Sequence, residues 1–331
     1  MLSAPVLIGV SVLAVAAVAI GVLYGRRGNR ANASGMTKAE TQQPDQPAEV
    51  KHQSPVLGID ELARRLQMPV EHLQHYECNY RTAKIPKPKG GARNLEIPDD
   101  TTKKLQRRIL NHLLRALNAH PLACGFEPET SIVHAALPHQ NKPLIVKMDV
   151  RKFFESTAAD RIQTYFEGIG WNKEAASVLT RLTTHNGHLP QGAPTSPRLS
   201  NLVNARMDEA LLRLAKRHQG AYSRYADDIT MSFPFVRGRK ARGLSQAVRR
   251  ILKQYGYTMH GGPKLKFLRQ NQQQRVLGLV VNEKAALPRK TRRLLRAARH
   301  NLDNGRLTTL TAEQLQGWES LQSMIIRQRE E

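Results

Sequence analysis

Between Ala221 and Phe233 the chain reads AYSRYADDITMSF, with two adjacent carboxylates in the middle of a largely apolar and aromatic run. Tyr222 and Tyr225 precede the pair, and Ile229, Met231 and Phe233 alternate after it. Alternation with period two is strand periodicity. The stretch therefore reads as a hairpin with Asp227 and Asp228 at its turn. Burying two ionised carboxylates is costly unless something pairs with them. A second run, PLIVKMDV at 143–150, reads as a buried strand ending near Asp149. Neighbours on a regular strand face opposite sides, but a tight turn relaxes that restriction. Three carboxylates can thus meet at one rim. An oxygen set of this kind suits a hard divalent cation such as Mg2+, and two such ions would support phosphoryl transfer. On these residues alone, an ordinary Asp-rich turn stands beside the metal reading, because Asp is common in turns.

Charge narrows the partner. The 331 residues carry 51 Lys+Arg against 27 Asp+Glu, a net +24. Such an excess favours a polyanion, nucleic acid ahead of an anionic membrane surface. Residues 1–54 hold five Lys/Arg and three Asp/Glu, so +22 of the charge lies beyond them. Two cysteines, Cys78 and Cys124, exclude a disulfide framework and a Cys-rich zinc site. The twelve histidines show no HExxH spacing.

The N-terminus differs from the rest. Residues 2–25 are uncharged and long enough for a bilayer-spanning helix, and Arg26, Arg27 and Arg30 follow at once. Positive charges after the apolar stretch place the remainder in the cytoplasm. The expectation is a single-pass inner-membrane protein with a transmembrane helix over 1–27. Residues 28–54, poor in large apolar side chains, read as a disordered linker. Beyond them, helical spacing appears at Ile59–Leu66, ended by Pro69, and at 101–120. Residues 80–98 read as two short strands around a Lys- and Gly-rich turn. Helices are expected at 172–184, 198–218, 241–255, 289–301 and 312–328. In the last, Leu315, Trp318, Leu321 and Ile325 form a core-facing stripe. The class is α+β.

Five stretches, in order, resemble the sequence blocks of reverse transcriptases. IPKPKGGARNLEIP with the helix after it resembles the opening block, and GFEPETSIVHAA the next. VKMDVRKFFES resembles the first metal-binding block, LPQGAPTSPRLSNL the QG…SP block, and YADDIT the YxDD box. Within that family, RVLGLVVNEKAALPRKTRRLLRAARH at 275–300 resembles the region after the palm of retron enzymes. Two positions depart from the retron pattern. Leu277 stands where Val-Thr-Gly is usual, and Ala135 stands where an Asn-Ala-x-x-His element usually begins.

The resemblance implies a right-hand polymerase, with fingers and palm over 55–270 and an RNA-binding thumb over 271–331. Asp149, Asp227 and Asp228 would be catalytic. With the carbonyl of Val150, they would hold two Mg2+ ions. Phe154 would be the sugar gate that excludes a 2′-hydroxyl. Gln191 and Gly192 would line the nucleotide pocket, and Arg93 and Lys87 would grip the triphosphate. Tyr225 and Lys264 would lie at the template–primer end, with Lys266 as the rival to Lys264. Arg289, Arg292, Arg293, Arg296 and Arg299 would follow a phosphate backbone along one helix face, with Leu294 and Leu295 turned to the core. His134 and His139 are candidates for RNA contact.

The activity implied is RNA-directed DNA synthesis from dNTPs on the protein's own structured non-coding RNA. The product would be an RNA-linked DNA (msDNA), made in antiphage defence, with room for an effector protein. Two rivals share the residues: a template-free or protein-primed polymerase of an abortive-infection system, and a silent membrane-tethered RNA-binding protein.

Overall fold

The computed structural model describes residues 56–86, 90–235 and 238–330. The expected spanning helix, the linker and Lys87 lie outside the described residues. Among the described residues, no helix is long and apolar enough to cross a membrane.

Helices α1 (Ile59–Leu66) and α2 (Val70–His75) meet at Pro69 and precede the hairpin of β1 (Tyr80–Pro86) and β2 (Ala92–Pro98). Residues 55–84 and 94–331 make one compact unit, and the hairpin tip, 85–93, falls outside it. Helix α3 (Asp100–Ile109) starts at Asp99, whose carboxylate accepts from the Thr102 amide at 2.8 Å. The helix continues as one wider π-helical turn, Leu110–Leu114, and stops there, short of residue 120. The side chain of Arg198 supplies the reason. It donates to the carbonyls of Leu114, Arg115 and Leu117, which a continuing helix would use itself.

Next come α4 (Ile132–Ala136), β3 (Leu144–Asp149), α5 (Ala159–Gly168) and α6 (Lys173–Thr183). The pair α7 (Ser196–Leu202) and α8 (Ala205–Arg217) replaces the single helix expected over 198–218. The break falls at Val203–Asn204, where the Asn204 side-chain Nδ2 donates to the Ser200 carbonyl at 2.7 Å and to the Tyr257 hydroxyl at 2.8 Å. Strands β4 (Ala221–Tyr225) and β5 (Asp228–Phe233) form the expected hairpin, followed by α9 (Gly238–Gln254) and β6 (Lys266–Arg269). The short strands β7 (Arg275–Val276) and β8 (Leu279–Val280) precede α10 (Arg289–Asp303) and α11 (Ala312–Glu330). Leu277 and Gly278, between β7 and β8, both have positive φ, 48° and 88°. That is the geometry of a tight hairpin turn, with an unusually bulky first residue.

The central sheet is antiparallel in the order β4-β5-β3-β6. Its register separates two faces. Leu144, Val146, Met148, Tyr222, Ile229, Met231 and Phe233 face a core shared with α8 and α9. Ile145, Lys147, Asp149, Ser223, Thr230, Ser232 and Asp228 face the other way. A separate cluster unites α1, α3 and α6. A third ties α10 and α11 to α4 through Leu295, Ala298, Leu315 and Ile325. Trp318 and Leu321 pack against that third cluster, as their spacing suggested. Leu294, expected to face the core, is 40% exposed. It lies outside the arc of α10 occupied by Leu295 and Ala298.

His139 is fully buried against the second face, so the expectation that it touches RNA fails. Its Nδ1 lies 2.8 Å from Ser232 Oγ and its Nε2 lies 2.9 Å from Ser223 Oγ. The Ser223 hydroxyl donates to the Ala135 carbonyl at 2.9 Å. Ser223 Oγ therefore accepts from Nε2–H, and Ser232 donates to Nδ1. A neutral ring satisfies both serines, whereas a second ring proton, on Nδ1, would meet the Ser232 hydrogen head-on and force that hydroxyl to turn away. Burial, with Lys142 adding, pushes the His139 pKa down to about 3 from its ordinary value near 6.5. His134 is only half-buried and bonds to Ser131 Oγ.

Between those two pKa values the unfolded chain binds a proton that the folded chain refuses. Stability should therefore be complete above pH 6.5 and fall as pH is lowered from there, by up to about 5 kcal/mol in total. Urea midpoints between pH 7 and pH 4.5 check this. His139→Gln keeps the donor to Ser223 and should flatten that window relative to the wild type.

Candidate active site

The catalytic rim forms because β3 and β5 pair with Asp149 directly opposite Asp228. Cross-strand partners project to the same face, so these two carboxylates are neighbours without help from the turn. Asp227 arrives from the two-residue loop between Tyr225 and Asp228. Ala226, the other loop residue, holds φ 54°, a left-handed conformation that a non-glycine residue keeps only where its surroundings impose it. The Val150 amide donates to the Asp227 carbonyl at 2.9 Å, which sets the Val150 backbone beside the loop.

Electrostatics mark the rim as short of positive charge. Burial, then Asp228 and Asp149, pushes the Asp227 pKa up to about 6. Burial also raises Asp228, with Lys147 pulling the other way. Lys264 Nζ approaches Asp149 Oδ1 to 2.8 Å, and His260 Nε2 lies 3.4 Å from the same oxygen. Lys264, and not Lys266, is therefore the lysine that reaches the acids. Lys266 begins β6 opposite Lys147. Among the described residues, no three acidic, imidazole or thiol side chains stand as a ready-made chelate. The chemistry of the donors still fits a hard cation: three carboxylates, Asp227 and Asp228 with raised pKa from burial and acidic neighbours, beside a backbone carbonyl, with an ammonium and an imidazole leaning on Asp149.

Around the rim lie residues that sequence reasoning placed and others that it missed. The Phe154 ring is half-buried, 5.6 Å from Phe153 and 6.3 Å from Phe126. Phe126 lies 6.1 Å from Tyr225, so an aromatic line runs from Phe154 to the YADD loop. Phe126 was missed. It is 44% exposed and holds φ 66°. Gly125 before it has no room for a side chain, since a Cβ would stand 2.9 Å from the Ala226 amide nitrogen. Asn201 of α7 fixes this segment, donating to the Gly125 carbonyl at 2.5 Å and to Glu127 at 2.8 Å. Arg198 pairs with Glu127.

Gln191 accepts through its carbonyl from the Glu96 amide at 3.0 Å. Gly192 has φ 145°, and a Cβ there would stand 2.7 Å from the Glu96 carbonyl oxygen. The QG pair is thus a point of backbone contact with β2, and only glycine allows it. Glu96 is held in turn by His188 at 3.0 Å. Arg93 is exposed on β2 in the hairpin tip, outside the unit that carries the rim. Arg289, Arg292, Arg293, Arg296 and Arg299 are all exposed on α10, as expected. Arg299 already pairs with Glu319 of α11.

The reverse transcriptase (RNA-dependent DNA polymerase) family matches residues 85–281, a span that holds the rim, the QG loop and the aromatic line. The chain belongs to that family. Its similarity to retron reverse transcriptases runs through most of the described residues. It is 33% identical over 285 residues to the Retron Mx65 reverse transcriptase of Myxococcus xanthus, covering 78% of this chain and 66% of that one. It is 31% identical over 320 residues to the Retron Mx162 enzyme of the same organism, covering 85% of this chain and 62% of the relative. With the Retron Ec86 reverse transcriptase of Escherichia coli it shares 30% identity over 261 residues, 77% of this chain and 80% of the relative. The chain thus spans just under two thirds of the length of the two Myxococcus reverse transcriptases.

Gly125→Ala should disturb the loop far more than the fold. Its Cβ meets backbone on Ala226, and relief requires the loop to move. We expect a stability loss of about 1–3 kcal/mol together with near-complete loss of dNTP incorporation. Urea denaturation and primer extension on an RNA template measure the two. Extension at the wild-type rate would show that the loop tolerates the shift.

Proposed function

We propose that this reverse transcriptase is an RNA-directed DNA polymerase of retron type. It extends a primer hydroxyl with dNTPs on its own structured non-coding RNA, using two divalent cations, Mg2+ by preference. The observation that carries the reading is the convergence of Asp149, Asp227 and Asp228 on one sheet rim inside the matched segment. In the reaction, the primer hydroxyl gives up its proton to water, its oxygen bonds to the α-phosphorus, the bond from the α-phosphorus to the bridging oxygen of the β-phosphate breaks, and pyrophosphate leaves. Divalent cations, when bound, promote attack and neutralise the leaving charge. The three carboxylates and the Val150 carbonyl would hold them. Lys264 would turn from Asp149 toward phosphate oxygens, and Phe154 would exclude a 2′-hydroxyl. Gln191 and Gly192 would support the nucleotide, and Tyr225 the primer end. Arg93 and Lys87 would serve the triphosphate. The exposed arginines of α10 would follow the RNA backbone, a salt-sensitive contact.

The finer reading includes an RNA-linked DNA product (msDNA), a role in antiphage defence and tethering to the inner membrane through residues 2–25. The +22 charge beyond residue 54 supports the RNA partner, and the retron relatives support the product class. Sequencing nucleic acid bound to protein from its native host tests the product. DNA complementary to a co-purifying RNA, joined through a debranching-sensitive bond, is expected. DNA without an RNA complement would favour a template-free or protein-primed enzyme. Fractionation of full-length and residue 1–30-deleted protein tests the membrane expectation.

Asp149→Asn and Asp227→Asn remove a charge and almost no volume. Each should lower incorporation by about a thousandfold or more, a loss of roughly 4 kcal/mol of transition-state stabilisation, with RNA binding kept. Retained activity of more than a few per cent would overturn the assignment. Phe154→Val should raise the ratio of rNTP to dNTP incorporation. An unchanged ratio would mean that Phe154 only packs.

A further inference from the structure

The largest fully buried side chain of the described residues is charged: Arg224, three positions before Asp227. It projects from β4 on the apolar face of the sheet, opposite the face of Asp149 and Asp228. Its fork grips Asp208 of α8, which is also fully buried. Nε lies 2.7 Å from Oδ1 and Nη2 lies 2.7 Å from Oδ2. The Tyr222 hydroxyl donates to the same carboxylate at 2.6 Å. The remaining nitrogen, Nη1, donates to the Ala226 carbonyl at 3.2 Å, inside the catalytic loop. The guanidinium carbon also stands 5.4 Å over the ring of Phe153, and Tyr257 stacks on that ring at 5.4 Å. Phe153 precedes Phe154 and touches its ring. The backbone of Arg224 bonds both ways to the segment before Gly125, accepting from the Cys124 amide and donating to the Leu122 carbonyl, each at 2.8 Å.

A buried ion pair is a poor way to gain stability, because apolar side chains of similar volume fill the same space at no desolvation cost. What a fork held by a carboxylate supplies is direction. Here the fork gives two directions, the carbonyl of a strained loop residue and the ring next to Phe154, and the Arg224 backbone adds a third contact, the segment before Gly125. All three lead to the rim, and none touches it.

We propose that Arg224, aimed by Asp208, is a positioning residue that sets the Ala226–Asp227 loop on one side and the Phe153–Phe154 pair on the other, coupling cation binding to sugar discrimination. The proposal rests on the cation and sugar-gate readings above. Loss of the fork would let the loop relax and the Phe154 ring shift together. Removal of a group that orients ligands of a metal typically costs about tenfold to a hundredfold in metal affinity.

The test uses the full protein with two variants, Arg224→Lys and the apolar pair Arg224→Met/Asp208→Leu. Mn2+ binding is read by electron paramagnetic resonance of the free ion, without turnover. Thermal midpoint and the rNTP:dNTP incorporation ratio are read alongside. The double variant should melt near the wild type, yet bind Mn2+ about tenfold more weakly or worse and admit more rNTP. Arg224→Lys keeps the charge without the fork, and should show both defects even if the double variant fails to fold. A folded variant with wild-type Mn2+ affinity and wild-type sugar ratio would overturn the proposal. Asp227→Asn is the control. Wild-type Mn2+ affinity there would overturn the cation reading itself, a failure distinguishable from that of Arg224.

Discussion

Antiparallel pairing of β3 with β5, with Asp149 opposite Asp228, is the constraint on which everything else rests. A slip of one residue would turn Asp149 into the apolar core and Met148 toward the rim. The register is held by packing, with Val146, Met148, Ile229 and Met231 against α8 and α9. On the opposite face His139 ties Ser232 of β5 to Ser223 of β4, which fixes β5 against its other neighbour. The carboxylates are therefore positioned by packing far from them, and the two-residue loop has only to deliver Asp227.

The site is built mostly from backbone contacts that exclude side chains. Gly125 lies against the Ala226 amide and Gly192 against the Glu96 carbonyl. Asn201 and Arg198 of α7 then lock the Gly125 segment from below. Sites assembled on closely approaching backbone are stiff, and stiffness preserves the geometry of charged groups that would otherwise repel one another.

How much of this could be read from the sequence follows from how local each signal is. The hairpin, the strand ending in Asp149 and most helices depend on spacing within a dozen residues, and they fall where expected. The QG pair and Phe154 were found through resemblance, which compresses distant contacts into short motifs. Arg224 escaped, and His139 read as an RNA contact instead of a core residue, because their meaning lies in partners far along the chain: Asp208 on a helix, and two serines on two strands. A polar residue in an apolar run looks the same whether it is buried with a partner or turned to water. The break between α7 and α8 was hidden likewise, since Asn204 ends one helix by reaching Tyr257. Lys264 and Lys266 could not be separated by spacing because a single 3-10 turn, Gly262–Lys264, sits between loop and strand. The apolar segment 2–25 stands on sequence alone.

The bond between Arg299 and Glu319 sets a condition on how the C-terminal helices meet a polyanion. Four arginines of α10 have charge to offer at once, whereas the fifth already has an anionic partner on α11. A phosphate arriving there must evict a carboxylate. At that position association is an exchange of one anion for another, not a neutralisation. Such an exchange frees few counterions, so Arg299 contributes to fit and orientation more than to the salt sensitivity of the grip. Until the swap takes place, the same bond clasps α10 to α11.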